Sequence, residues 1–114
     1  MVKYNKLVRD KMVQIIENDG RKAKYKILNK KTYFKALKRK LDEEVVELKK
    51  ALKNGNLSEI IEEIADVREV LEAISKYYDA FNIVLKKQEE KRNERGSFNE
   101  RVYLKKADAV KIEN

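Results

Sequence analysis

The chain has no cysteine, no histidine and no proline, and only three of its 114 residues are glycine. Without cysteine there are no disulfides and no thiolate metal sites; without histidine there are no imidazole ligands and no usual general base. A metal bound here must be held by oxygen, which points to Mg²⁺ or Mn²⁺ rather than zinc. No stretch approaches the roughly 20 consecutive apolar residues of a membrane helix. The first residues, MVKYNKLVRDK, lack the apolar segment of a secretory signal, so a cytoplasmic protein with no membrane partner is the expectation.

Charge is abundant but unevenly spread. Apolar and charged residues each make up 42% of the chain, and the formal net charge is +8. Residues 1–40 carry 14 Lys/Arg against 3 Asp/Glu, residues 41–80 carry 5 against 11, and residues 81–114 carry 9 against 6. The basic excess attracts polyanions such as a nucleotide's phosphates or nucleic acid. An acidic block between two basic ones suits a site where a cation meets a polyphosphate. At this length one domain spanning residues 1–114 is expected.

The apolar residues recur at helical spacing. A first helix is predicted from about Asn5 to Asn18, with Val8, Met12, Ile15 and Ile16 on one side. A second runs from about Lys30 to Lys53, capped by Asn29, with a stripe formed by Phe34, Leu37, Leu41, Val45, Leu48 and Leu52. A third runs from about Leu57 to Tyr77, where Asn56 and Glu59 have capping-box spacing, and a fourth from about Ala80 to Arg95. Gly20, Gly55 and Gly96 each follow a helical segment, where a left-handed residue ends a helix. AKYKIL (23–28) and RVYL (101–104) alternate weakly enough to suggest a minor two-stranded ribbon, and Phe98 reads as a packing anchor after Gly96. The fold class is all-α, a helical bundle built on a central antiparallel hairpin.

The hairpin organises the acids. With a short loop at Gly55, Glu47 lies opposite Glu63 and Glu44 opposite Asp66, and each pair is i, i+3 on its own helix. Four carboxylates converge at one level, roughly 12–16 Å from the turn at about 1.5 Å per residue. By helical angle Glu44, Glu47 and Glu63 border the core and Asp66 sits further out. Glu43 and Glu62 read as surface acids. One E-x-x-E pair arises readily on any Glu-rich helix, but two in mirror register on core-bordering flanks favour a divalent metal site, because like charges held together repel unless a cation neutralises them.

EEVVE (43–47), followed after 15 residues by EIAD (63–66), resembles the paired acidic signature of the MazG-like, all-α nucleoside triphosphate pyrophosphohydrolases, a group that includes phosphoribosyl-ATP pyrophosphohydrolase. YNKLVRDK (4–11) and KRNERGSFNERVYL (91–104) are similar to the flanking blocks of its short members. Val13 departs from the usual proline there, at a position with no catalytic role. The resemblance implies Mg²⁺-dependent hydrolysis of a nucleotide between its α and β phosphates, with Glu44, Glu47, Glu63 and Asp66 as metal ligands and one of them as a base. Lys6, Arg9, Lys11, Lys91, Arg95 and Arg101 are the candidates for substrate phosphates.

The expected activity is that of a house-cleaning nucleoside triphosphate pyrophosphohydrolase. Phosphoribosyl-ATP hydrolysis in histidine biosynthesis is the alternative, and a non-catalytic basic nucleic-acid-binding module is the alternative from another class. The mirror-register acids make nucleic acid an unlikely partner. The apolar arc of the third helix, extended by Val67, Val70 and Ile74, is wider than one neighbouring helix needs. Members of the group pair such helices between subunits, so a homodimer or homotetramer is expected.

Overall fold

The computed structural model describes residues 1–109, which form four helices and no strand: α1 (Met12–Asn18), α2 (Lys30–Asn54), α3 (Leu57–Tyr77) and α4 (Phe81–Arg95). The chain divides into two compact units, a first from Met1 to Phe81 and a second beginning at Asn82. The first unit is built on α2 and α3, an antiparallel hairpin.

Each long helix starts where its sequence supplies a cap. The Asn29 side chain accepts from the Thr32 N–H at 2.9 Å, and the Asn56 side chain accepts from the Glu59 N–H at 3.1 Å. Both satisfy donors that the first helical turn otherwise leaves unpaired. Gly55 ends α2 at φ +75, a left-handed conformation that costs a residue with Cβ more, and its N–H bonds the Ala51 carbonyl at 3.0 Å. Asn29→Ala and Asn56→Ala should each lower stability by about 1 kcal/mol. Urea unfolding reads this as a shifted midpoint at constant slope; an unchanged midpoint would mean that water replaces the cap without cost.

The first helix is shorter than the periodicity predicts. Asn5 has φ +45, which no α-helix admits, and the first turn closes only where the Met12 N–H bonds the Arg9 carbonyl. Residues 1–11 therefore run as an irregular segment. The predicted ribbon is not formed: neither 23–28 nor 101–104 is strand, and Ile27, Val102 and Tyr103 are exposed. A two-stranded ribbon with no apolar face to bury is marginal in water. Phe98 is likewise exposed and anchors nothing.

Packing within the hairpin chooses a different face of α2 than its apolar stripe suggests. The residues buried along α2 are Leu37 (2% exposed), Glu44 (9%) and Ala51, seven apart in sequence. That seam lies roughly 60° round the helix from the centre of the stripe, at about 100° per residue. Leu52, inside the stripe, is exposed. Seven-residue spacing is the repeat that keeps a seam facing a partner helix, and Ala51 permits close approach. On α3, Val70 is buried in the hairpin rather than on a free surface, while Leu57, Ile61, Ile64 and Leu71 form a second, exposed apolar face. Away from the turn, Phe34 meets Tyr77 with ring centroids 5.1 Å apart, and Tyr77 meets Tyr78 edge-on at 5.2 Å. Such pairs add roughly 0.5–1.5 kcal/mol each beyond burial.

Candidate active site

The shifted seam places a carboxylate inside the hairpin. Glu44 lies on the buried line of α2, and Glu63 and Asp66 face it from α3. Each of the three offers a carboxylate oxygen within 4.8 Å of the others. Three of the four predicted acids therefore converge. Glu47 stands outside this group: its side chain is 48% exposed and its carboxylate is 3.8 Å from Lys50. It is more exposed than Asp66, the reverse of the helical-angle expectation, because α2 is rolled so that Glu44 takes the centre and Arg9 covers Asp66.

Glu63 carries the electrostatic tension. One of its carboxylate oxygens is shielded from solvent and has no hydrogen-bond partner. Burial raises its pKa above the ordinary carboxyl value, and the neighbouring charges of Asp66, Glu44, Glu47 and Glu62 raise it further. A shielded acceptor facing other carboxylates needs a cation or a proton.

Cations approach from two directions. The N-terminal segment lays Arg9 against Asp66 at 2.6 Å, with Glu69 at 3.9 Å, and Lys6 against Glu43 at 3.5 Å. On α2 itself, Lys40 lies 3.2 Å from Glu44 and 3.4 Å from Glu43, with its side chain only 17% exposed. Glu43 is thus a half-buried ion-pair partner and not a plain surface acid, whereas Glu62 is exposed as expected. Lys40 escaped the sequence reading, although the run Lys40, Glu43, Glu44 has i, i+3 and i, i+4 spacing. Lys preceding Glu is the weaker order for such pairs on an isolated helix, so the tertiary setting gives this one its weight.

The other predicted phosphate contacts are exposed. Lys11 caps α1 at the surface and has no ion pair among the described residues. Lys91 and Arg95 lie on α4, and Arg101 follows at φ +59; all three are exposed on the second unit.

The sequence model of the family described as phosphoribosyl-ATP pyrophosphohydrolase matches residues 9–86. The chain belongs to the phosphoribosyl-ATP pyrophosphohydrolase family. No curated protein and no solved structure matches it. The matched stretch holds the whole α2–α3 hairpin, all four acids and Arg9; Lys6, Lys91, Arg95 and Arg101 fall outside it. Membership makes the protein a hydrolase of the MazG-like group, one that acts on a phosphoric anhydride bond of a nucleotide. No helix among the described residues is long and apolar enough to cross a membrane.

The donor set fits the cation that such a hydrolase needs. Glu44, Glu63 and Asp66 present hard oxygen donors at mutual distances a divalent ion can span, and the unpartnered Glu63 oxygen supplies an acceptor that protein groups leave unsatisfied. This phosphoribosyl-ATP pyrophosphohydrolase family member thus has, within one helix hairpin, a carboxylate group that could hold a divalent cation.

Proposed function

We propose that this protein hydrolyses phosphoribosyl-ATP between its α and β phosphates, water entering as phosphoribosyl-AMP and pyrophosphate leave. The observation that carries the reading is the family match across residues 9–86, which favours this substrate over the house-cleaning activity first expected from the acidic signature. Glu44, Glu63 and Asp66 would hold Mg²⁺ or Mn²⁺, with Glu47 at the edge of the group. When bound, the ion would neutralise phosphate charge and lower the pKa of an attacking water.

The chain's own residues divide the remaining work. Arg9, on Asp66, fixes that carboxylate's direction and presents guanidinium N–H groups beside the site. Glu47, exposed and outside the tight group, is the carboxylate left to accept the proton of the attacking water in a chain without histidine. Lys6 and Lys40 add positive charge where the phosphates arrive. The exposed apolar face of α3 supports a homo-oligomer, a dimer or tetramer that covers Leu57, Ile61, Ile64 and Leu71.

A panel of nucleotides with Mg²⁺ tests the assignment. Phosphoribosyl-ATP should give the highest kcat/KM, with pyrophosphate as first product. Orthophosphate as first product would place cleavage at the γ phosphate and end the proposal. Faster turnover of ordinary nucleoside triphosphates would move the protein to the house-cleaning class.

A further inference from the structure

Next to the acids, but separate from them, the first unit has a small notch whose lining includes Lys6, Arg39, Lys40 and Glu43. Its walls also include Asn5, Leu7 and Ala36. The notch exists because Asn5 turns the chain at φ +45, a conformation asparagine tolerates better than most residues, and so lays the N-terminal segment along α2. Three cations line it against one carboxylate. Lys40 and Lys6 both reach Glu43, at 3.4 and 3.5 Å, while Arg39 has no ion-pair partner among the described residues. The positive charge of the notch is therefore only partly answered from within the protein. Leu7 and Ala36, both half-buried, form the apolar part of its wall.

We infer that this notch is a phosphate-binding subsite, with Arg39 and Lys6 holding a terminal phosphate group and Lys40 linking that group to the carboxylate cluster. The inference rests on the nucleotide reading above and deepens it by naming where a phosphate remote from the scissile bond is held. Arginine's planar fork suits a phosphate's paired oxygens, and lysine supplies point charge. Lys40 carries three donors. One is directed to Glu43 at 3.4 Å while the ammonium also lies 3.2 Å from Glu44, so donor capacity remains for an anion in the notch. A polyanion that spans the notch and the acid cluster is thereby set in register. Two phosphates of the proposed substrate have this terminal chemistry: the far end of the polyphosphate and the 5′-phosphate of the phosphoribosyl group.

Titration calorimetry on the full chain with chelator, using inorganic pyrophosphate and ribose 5-phosphate as probes, tests the subsite without turnover. Arg39→Gln and Lys6→Gln should each weaken binding of one probe about tenfold, the range of a lost charge-assisted hydrogen bond. Lys31→Gln, an exposed cation elsewhere on α2, should leave it unchanged. Weakened pyrophosphate binding assigns the notch to the polyphosphate end, and weakened ribose 5-phosphate binding assigns it to the phosphoribosyl end. In steady state the same two variants should raise KM about tenfold with kcat within about twofold. Equal losses in Lys31→Gln would show diffuse charge rather than a site, and no loss in Arg39→Gln or Lys6→Gln would also overturn the inference. If the wild type binds a probe in this way yet leaves phosphoribosyl-ATP intact, the subsite stands and the substrate assignment falls.

Discussion

Glu63→Gln should abolish most hydrolysis while leaving the metal-free protein as stable as the wild type, or more so. Changing a group that merely supports a metal ligand typically costs about 10–100-fold, so losing a direct carboxylate donor should cost at least about 100-fold in kcat/KM. Stability moves the other way because Glu63 is held at a cost, with a shielded oxygen lacking a partner among like charges. An amide at this position is neutral, and its N–H₂ can donate to the Glu44 or Asp66 carboxylate. The pH dependence has a definite sign. Since the folded pKa is raised, the folded state binds more protons than the unfolded state between the ordinary carboxyl pKa, about 4.3, and the raised value. Wild-type stability therefore falls as pH rises through that window. The advantage of Glu63→Gln should grow over the same window and then level off, as followed by urea unfolding in chelator.

Metal reverses the ranking. At a Mg²⁺ concentration about a hundredfold above Kd, a bound ion adds about 2.7 kcal/mol to the wild type, and Glu63→Gln should forgo most of it. Glu47→Gln separates the two proposed roles: it should lose activity yet keep most of the Mg²⁺-dependent rise in melting temperature. Glu62→Gln, exposed on the outward side of α3, should keep both. Identical behaviour of all three variants would reduce the acids to a solvated surface.

The second large effect is expected at α3, whose two apolar faces should fail in different ways. Val70 is 7% exposed within the hairpin, so Val70→Lys buries an unpaired ammonium and should unfold the protein, with loss of helical circular dichroism. Ile61 is 58% exposed and sits on the opposite apolar face with Leu57, Ile64 and Leu71. Ile61→Lys and Ile64→Lys should keep the helical signal but reduce the mass in light scattering to that of a single chain, 13.5 kDa. Variants that stay at the wild-type mass would place the subunit contact elsewhere.

Much of this molecule is legible in its amino-acid order because its signals are local. Asn29 and Asn56 mark helix starts by a hydrogen bond three residues away, and Gly55 marks a helix end by its left-handed backbone. The short connection at Gly55 forces α2 and α3 antiparallel, so the approximate meeting of Glu44 with Glu63 and Asp66 follows from counting residues outward from the turn. The i, i+3 spacing and the absence of histidine and cysteine narrow the chemistry to oxygen ligands.

What the sequence could not decide was rotation. An apolar stripe is broad, and several roll angles of a helix bury similar area, so the periodicity of α2 does not say that Leu37, Glu44 and Ala51 form the seam while Leu52 stays out. Only the packing of two helix surfaces selects that angle, through the room Ala51 leaves, and the choice buries Glu44 while turning Glu47 outward. The course of residues 1–11 is likewise non-local. A left-handed Asn5 and contacts 37 and 57 residues away carry Lys6 to Glu43 and Arg9 to Asp66. No helical period encodes such contacts, because their partners become neighbours only after the hairpin has closed.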